Sequence, residues 1–392
     1  MKILLLLLLI NLILTGLTVA KANNFKVDGV LSLGYIAPTS NQLFGSKDGE
    51  NTIITENAFR VSYNFENRFS VSSQIMLRDT RGESGVEARI DFLQLDYRNS
   101  FWDNSQQTYT IGRFKAQQGF YNETRDITFT RPSIMLPQSV YFEAIRNFVL
   151  SLDGIKLNST HSFDFSDLTF ELGAGKSPID SSLNSAIFGD TATGAWESDT
   201  NYYADIKWDN QNISLGVNYT NISLDYTPGI NSFLPIEVNG FVFSAPLLEG
   251  VYRSSSFIYS AQYRLPNWEF TVEHSDYLFD STGFSFARNT TTSNIKGTYF
   301  QTRYFLSDTL FLLARYDVMQ DVSATKSSVK SLTEGKDLTL GFTWSFNKQW
   351  QVALEHHFVE GILWVPPVTK TTSIEDVDNK WGVSAIQLSY RF

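Results

Sequence analysis
The sequence predicts an all-β protein, a transmembrane antiparallel β-barrel of sixteen strands. Three observations lead there. Apolar and polar residues alternate with period two along most of the chain. The connections between alternating runs are short and long by turns. Aromatic residues gather beside the short connections.

The alternation is plainest at Leu338, Leu340, Phe342, Trp344 and Phe346, separated by Thr339, Gly341, Thr343 and Ser345. Large apolar residues at every second position mark a strand whose two faces meet different media, because successive side chains point to opposite sides. The pattern returns in Phe59-Val61-Tyr63-Phe65, Leu168-Phe170-Leu172-Ala174, Ile213-Leu215-Val217-Tyr219 and Ile386-Leu388-Tyr390-Phe392. Sixteen strands are expected, at 25–35, 55–65, 69–79, 85–98, 107–115, 148–158, 167–176, 201–208, 212–224, 251–265, 268–278, 295–306, 309–320, 337–346, 350–358 and 381–392. In the fourth the apolar phase slips between Phe92 and Leu93, and in the sixth near Gly154. Both slips read as bulges.

Connections after strands 2, 8, 10, 12 and 14 are two or three residues long: Glu66-Asn67-Arg68, Asp209-Asn210-Gln211, Pro266-Asn267, Ser307-Asp308 and Asn347-Lys348-Gln349. Most of those after odd-numbered strands are long and polar: 36–54, 116–147, 177–200, 225–250, 279–294, 321–336 and 359–380. Sorting by parity is what a barrel inserted in a bilayer shows, with turns on one side and loops on the other. Phe65, Phe69, Trp102, Trp208, Trp268, Phe305, Phe346 and Trp350 flank the short turns, and Phe392 ends the chain. Amphipathic rings favour the boundary between lipid and water, so these residues read as an interfacial girdle.

Composition narrows the function. The 392 residues include no Cys, which excludes thiolate metal sites, disulfides and cysteine nucleophiles. Lys+Arg 31 against Asp+Glu 41 gives a formal −10, the wrong sign for a nucleic-acid partner. With 31 Phe, 18 Tyr and 8 Trp, disorder is excluded. Residues 1–22 read as a secretory signal peptide: Met1-Lys2, an apolar run from Ile3 to Leu14 broken only by Asn11, then Ala20-Lys21-Ala22. That run is shorter than the ~20 residues a spanning helix needs. Cleavage after Ala22 leaves 23–392 as the barrel, with 29 basic against 41 acidic residues.

The closing segment Ile386-Gln387-Leu388-Ser389-Tyr390-Arg391-Phe392 is similar to the terminal strand that marks Gram-negative outer-membrane proteins for barrel assembly, with Tyr390 and Phe392 as the signal residues. Sixteen strands and a longest loop after strand 5 make the chain resemble the outer-membrane porin superfamily over its mature length. Ile111-Gly112-Arg113-Phe114-Lys115, Tyr121-Asn122-Glu123-Thr124-Arg125-Asp126, Phe129-Thr130-Arg131-Pro132-Ser133 and the stretch Leu136 to Glu143 resemble the branch related to phosphate-selective porins. The Pro-Glu-Phe-Gly-Gly element of general porins is absent. No arginine ladder or lysine cluster stands out, so phosphate selectivity is not carried over. The resemblance implies that loop 116–147 folds into the lumen, and that the chain is a homotrimer in the Gram-negative outer membrane. It also implies contact with lipid and lipopolysaccharide, assembly by the barrel-assembly machinery through the C-terminal strand, and passage of small polar solutes or ions.

A barrel of this size leaves an aqueous channel whose selectivity rests on constriction size and lining charge. The candidate constriction residues are Glu123, Arg125, Asp126, Arg131, Glu143 and Arg146, a neutral set. On the polar phase of strands 2 to 4 lie the candidate wall residues Arg60, Arg78, Arg89 and, past the slip, Arg98. Arg60, Arg78 and Arg89 are expected to face Glu123 and Asp126, giving a transverse field. The competing reading is that these charges are rim residues or loop–wall salt bridges. At least one arginine–carboxylate pair within the loop is expected, since the guanidinium fork docks carboxylates well.

Other constellations carry less. Glu355-His356-His357 offers only Glu355 and His357 on one strand face, too few ligands for a metal, and no metal or cofactor is expected. His274 lies on the lipid-facing phase, where an outer-membrane hydrolase would place a Ser–His pair, but no serine can be matched to it and no enzyme is expected. The sequence therefore predicts a passive channel for small hydrophilic solutes or ions. The alternatives are a surface barrel for adhesion or phage reception and a phospholipase-like hydrolase.

Overall fold
Strands with one greasy and one polar face have no second sheet to stack on, and an open edge in lipid would leave N–H and C=O groups unpaired. Closure removes the edge. In the computed structural model the described residues are 24–41, 50–65, 68–79, 87–143, 146–179, 182–188, 193–230, 232–238, 241–285, 290–323, 333–361 and 378–392. The expected signal peptide lies outside them.

The strands are β1 (Phe25–Pro38), β2 (Thr52–Phe65), β3 (Phe69–Asp79), β4 (Glu87–Asn99), β5 (Ser105–Lys115), β6 (Ser151–Ser162), β7 (Ser166–Lys176), β8 (Gly194–Ser198), β9 (Asn201–Asn210), β10 (Ile213–Pro228), β11 (Phe233–Val238), β12 (Phe241–Pro246), β13 (Gly250–Arg264), β14 (Trp268–Thr282), β15 (Thr290–Ser307), β16 (Leu310–Asp321), β17 (Glu334–Trp344), β18 (Trp350–Gly361) and β19 (Lys380–Arg391). β11 and β12 form a separate hairpin. β8 pairs with β10 from Leu224↔Ser198 to Pro228↔Gly194, where the ladder of β9 on β10 leaves off at Asn221↔Tyr202. The two pieces thus act as one barrel strand, and the ring counts sixteen. β1 closes it, pairing antiparallel with β2 and with β19 from Val30↔Arg391 to Pro38↔Val383. Short helices occupy Arg146–Val149 and Ser182–Phe188.

All sixteen expected strands are present, and their ends moved. β2 begins at Thr52, β10 runs to Pro228, β14 to Thr282, and β15 starts at Thr290. Thr290-Thr291-Thr292 is polar on both faces and carries no period-2 signal, and neither does Thr52-Ile53-Ile54, apolar on both with Ile53 exposed and Ile54 buried. The sixth strand runs Ser151–Ser162, because the residues before it form the helix Arg146–Val149. The slip in β4 is a bulge: Gln74 pairs Phe92 while Ile75 pairs Ile90, leaving Asp91 extra. The slip near Gly154 is not, since Gly154 pairs in uninterrupted ladders with Gly112 and Gly175.

The two faces differ as the alternation requires. Leu338, Leu340, Phe342 and Trp344 are exposed, whereas Asp337, Thr339 and Thr343 of the same strand are buried. The outer belt is apolar and the inner wall polar. At the short turns Tyr63 and Phe65 meet edge to face with ring centres 4.6 Å apart, and tilted pairs join Phe69 and Tyr97 at 4.8 Å, Trp268 and Tyr304 at 4.5 Å, and Trp350 and Tyr390 at 4.8 Å. Phe305 leaves the expected girdle: its ring and that of Phe311 flank the Arg303 guanidinium, at 5.3 and 5.0 Å.

Candidate functional site
The segment between β5 and β6 is where the wall charges converge. Gly119 opens it at φ +57°, a left-handed conformation that glycine adopts freely. A Cβ there would lie 2.5 Å from the Tyr141 hydroxyl and 2.7 Å from Glu273 Oε1, so the close approach also needs glycine. Successive turns follow, with Thr124 N–H donating to Tyr121 O and Ile127 N–H to Thr124 O. Every residue from Pro132 to Tyr141 is buried.

Backbone groups in this segment find partners on polar-phase residues of distant strands. Phe120 N–H donates to Glu273 Oε1 of β14 (2.9 Å). Ile134 and Met135 N–H donate to the two oxygens of Glu355 on β18 (both 2.8 Å). Gln117 O accepts from Asn218 on β10 (2.7 Å), and Arg315 of β16 donates to Met135 O (3.0 Å). Buried backbone groups must be satisfied, and here the wall does it. Glu273 is fully buried and also accepts from Ser260, Tyr141 and Tyr299 at 2.5–2.6 Å. Burial pushes the Tyr121 phenol up to about 12, and burial beside Glu273 raises Tyr141 well above the ordinary range. Both stay neutral, and Tyr141 donates its hydroxyl to Glu273.

The segment's charged residues form one connected cluster with β2 to β5. Arg125 donates to Glu143 Oε2 (2.8 Å), and Arg146 reaches Asp126 and, at 3.9 Å, Glu143. Arg78 bridges Glu143 (2.5 Å) and Glu56 (3.2 Å), and Arg131 forks onto Glu56. Arg89 holds Asp91 at 2.6 Å and Asp126 at 3.4 Å, while Lys115 Nζ lies 2.5 Å from Asp126 Oδ2. Three expected residues sit elsewhere. Arg60 is half exposed and pairs at 2.8 Å with Asp28, its register partner on β1, and does not face Glu123 or Asp126. Glu123 is also half exposed and approaches Lys156 at 3.8 Å. Arg98 donates to Ser70 Oγ at 3.1 Å.

Sequence reasoning missed Glu56, Asp91, Lys115 and the Glu273 and Glu355 anchors as partners of this segment. Glu56 shares the polar phase of Arg60 and was legible; Asp91 was hidden by the bulge. His357 shares the strand face of Glu355. It is fully buried, with Nδ1 2.7 Å from Asp337 and Nε2 3.0 Å from Glu355, so it orients the carboxylate that pins Ile134 and Met135. His274 Nδ1 meets Thr298 Oγ1 (2.8 Å), a threonine where a Ser–His pair would need a serine.

Comparison with solved structures decides the fold. The structure aligns with OmpT, an outer-membrane-expressed protein of Vibrio cholerae, over 95% of this chain and 99% of that one, with TM-score 0.57 and 11% identity. It aligns with OmpF of Salmonella typhi over 94% and 98%, with TM-score 0.56 and 14% identity. The fold is that of the outer-membrane porins. An anion-selective porin from Comamonas acidovorans aligns over 94% of this chain and 99% of its own, with TM-score 0.55 and 9% identity. No protein-family model matches the sequence, and neither does any curated protein. The closed ring and apolar belt are the architecture of a multi-pass outer-membrane β-barrel.

Proposed function
We propose that this porin-type barrel is a passive diffusion channel for small hydrophilic solutes or ions, with segment 116–147 folded into the lumen as its constriction. The observation that carries this reading is the reach of the segment, whose groups bond Glu56 on β2, Glu273 on β14 and Glu355 on β18. Such partners lie far apart around the ring, and a segment that meets them all has the barrel interior as its shortest route. Glu123, Arg125, Asp126, Arg131, Glu143 and Arg146 then set the charge of the constriction, with Arg78 and Arg89 as the wall beside it. Arg60 and Arg98 line the lumen nearer the short turns. Size and charge at such a narrowing decide what passes. No step of this function asks for catalysis or a cofactor.

Kinship to the phosphate-selective branch rests on the loop sequence and stays part of the proposal. So do lipopolysaccharide contact, assembly through Tyr390 and Phe392, and the homotrimer. The outer face of β4 to β10 carries an apolar groove of about 680 Å³ lined by Tyr97, Tyr109, Ile155, Leu172, Tyr202 and Tyr219, a seat suited to a neighbouring subunit.

Planar-bilayer recording tests the central claim. Purified protein is expected to give discrete conductance steps, and Arg78→Ala with Arg89→Ala to change the ratio of cation to anion permeability. A protein that forms no open pore, and whose liposomes do not swell in small sugars, sinks the reading.

A further inference from the structure
An open channel leaves its wall wet, and toward the short turns this wall is wet. Arg60, Arg98 and Arg391 are exposed there, as are Glu123 and Thr130 of segment 116–147. Further from the turns the wall is dry. Gln74 of β3, Asn218 of β10, Glu273 of β14, Gln301 of β15, Arg315 of β16 and His357 of β18 lie on the polar phase, and none is more than 2% exposed. A single-layered ring has no second sheet behind it, so this burial needs cover from inside.

The segment supplies the cover, because it is bonded to opposite parts of the ring at once. Besides the bonds to Glu273, Arg315 and Glu355, Ser275 Oγ of β14 donates to Ser139 O (2.5 Å) and the Tyr277 hydroxyl to Val140 O (2.7 Å). At β15 a Cβ on Gly297 would lie 2.5 Å from Ser139 Cβ, so segment and strand are in direct contact. Arg131 meanwhile reaches Glu56 of β2 and Gln387 of β19 (3.0 Å), while Arg78 and Arg89 hold Glu143 and Asp126. The β9–β10 side is met by Gln117 O, which accepts from Asn218, and by the Phe120 ring, 6.0 Å from Lys207 Nζ. On the long-loop side the wall turns apolar, and two buried clusters take in wall and segment residues alike. Apolar constrictions stop ions by dewetting.

We propose that segment 116–147 is a plug that shuts the barrel at rest and opens along its edge with β2, β3 and β4. The plug presupposes the diffusion channel proposed above and gives it a closed state. The opening edge is assigned by what holds each side. At β14 to β18, carboxylates bond backbone N–H groups and apolar residues are buried, so parting that side would expose both. At β2 to β4 the hold is side-chain ion pairs. Of these, Arg78, Arg89 and Glu143 keep 16%, 21% and 20% of their side-chain surface in solvent. Solvent screens partly wet pairs more than buried ones, which makes this the weaker edge.

Planar-bilayer recording and liposome swelling on the full purified barrel test the plug. The unsubstituted protein is expected to stay closed for most of a recording at low voltage, with brief openings, and to swell liposomes slowly. Arg78→Gln leaves Glu56 on Arg131 and Glu143 on Arg125, so no carboxylate loses its last partner. It is expected to raise the open fraction and the swelling rate several-fold. Glu143→Gln keeps an acceptor in place and is expected to act the same way, so misfolding of one variant leaves the other. Ser275→Ala removes a bond that is kept on opening, and is expected to leave the open fraction unchanged. Steady conduction by the unsubstituted protein from the moment of insertion overturns the plug and leaves the channel standing. Silence in the unsubstituted protein and in both edge variants overturns plug and channel together. A rise in Ser275→Ala equal to that in Arg78→Gln overturns the assigned edge.

Discussion

Tyr121 shows how a single buried group makes this structure sensitive to pH. Its ring packs on Tyr141 at 5.7 Å, its N–H donates to the Tyr141 hydroxyl (3.0 Å), and burial raises its phenol from 10 to about 12. A raised acid binds its proton more tightly in the folded state. The stability it contributes is therefore complete below pH 10 and lost as pH rises through about 12. The unfolding free energy is expected to fall across that window by an amount on the order of 2 kcal/mol. Tyr121→Phe should flatten part of the fall, read from urea midpoints at pH 9 and pH 11.5. Parallel losses in both proteins would refute the assignment. The arginines make the opposite point. Arg78 and Arg125 were visible as candidates, but the pairing that gives them meaning, Glu143 with both, depends on segment and wall being brought together. A sequence supplies the charges and not their partners.

Among the elements, loop parity was legible because turns and loops differ in length. Strand ends were not, because Ser and Thr above the apolar belt suit either face. The parity carries a directional prediction. A chain with no Cys permits clean single-site labelling. A Cys in place of Ile230, which is 90% exposed in a long connection, is expected to react with a membrane-impermeant maleimide on intact cells. A Cys in place of Asn267, in a short turn, should react only after permeabilisation. The reverse result would invert the barrel. The bulge in β4 illustrates a limit of pattern reading. The slip at Phe92 was visible, but its consequence, an extra Asp91 aimed at Gln74, Arg89 and Lys115, follows from the pairing with β3.

For the whole molecule, closure is the governing event. Phe392 lies at the seam: its N–H donates to Gly29 O (3.1 Å), its O accepts from Gly29 N–H (3.2 Å), and its ring lies 6.2 Å from Phe59. Phe392→Ala is expected to lower the yield of folded, heat-modifiable barrel in membranes several-fold while leaving the export of the chain unchanged. An unaltered folded fraction would remove the assembly role given to this residue. Apolar packing adds to closure on the long-loop side. Tyr121, Leu136, Val140 and Tyr141 join Ile222, Ile258, Tyr277 and Tyr299 in one buried cluster, and Ile134 and Met135 join Ile36, Ile54, Val359 and Val383 in another. The segment is therefore fixed by burial as well as by charge.

The sequence by itself determined the all-β class, the sixteen strands, the two-faced wall and the separation of turns from loops. Each is a local periodicity or length, written in neighbouring residues and independent of what lies across the ring. Tertiary structure alone decided that Arg60 answers Asp28, that Arg78 joins Glu56 to Glu143, and that Glu355, oriented by His357, holds Ile134 and Met135. These partners are separated by up to 221 residues, and only register and closure bring them within hydrogen-bond reach.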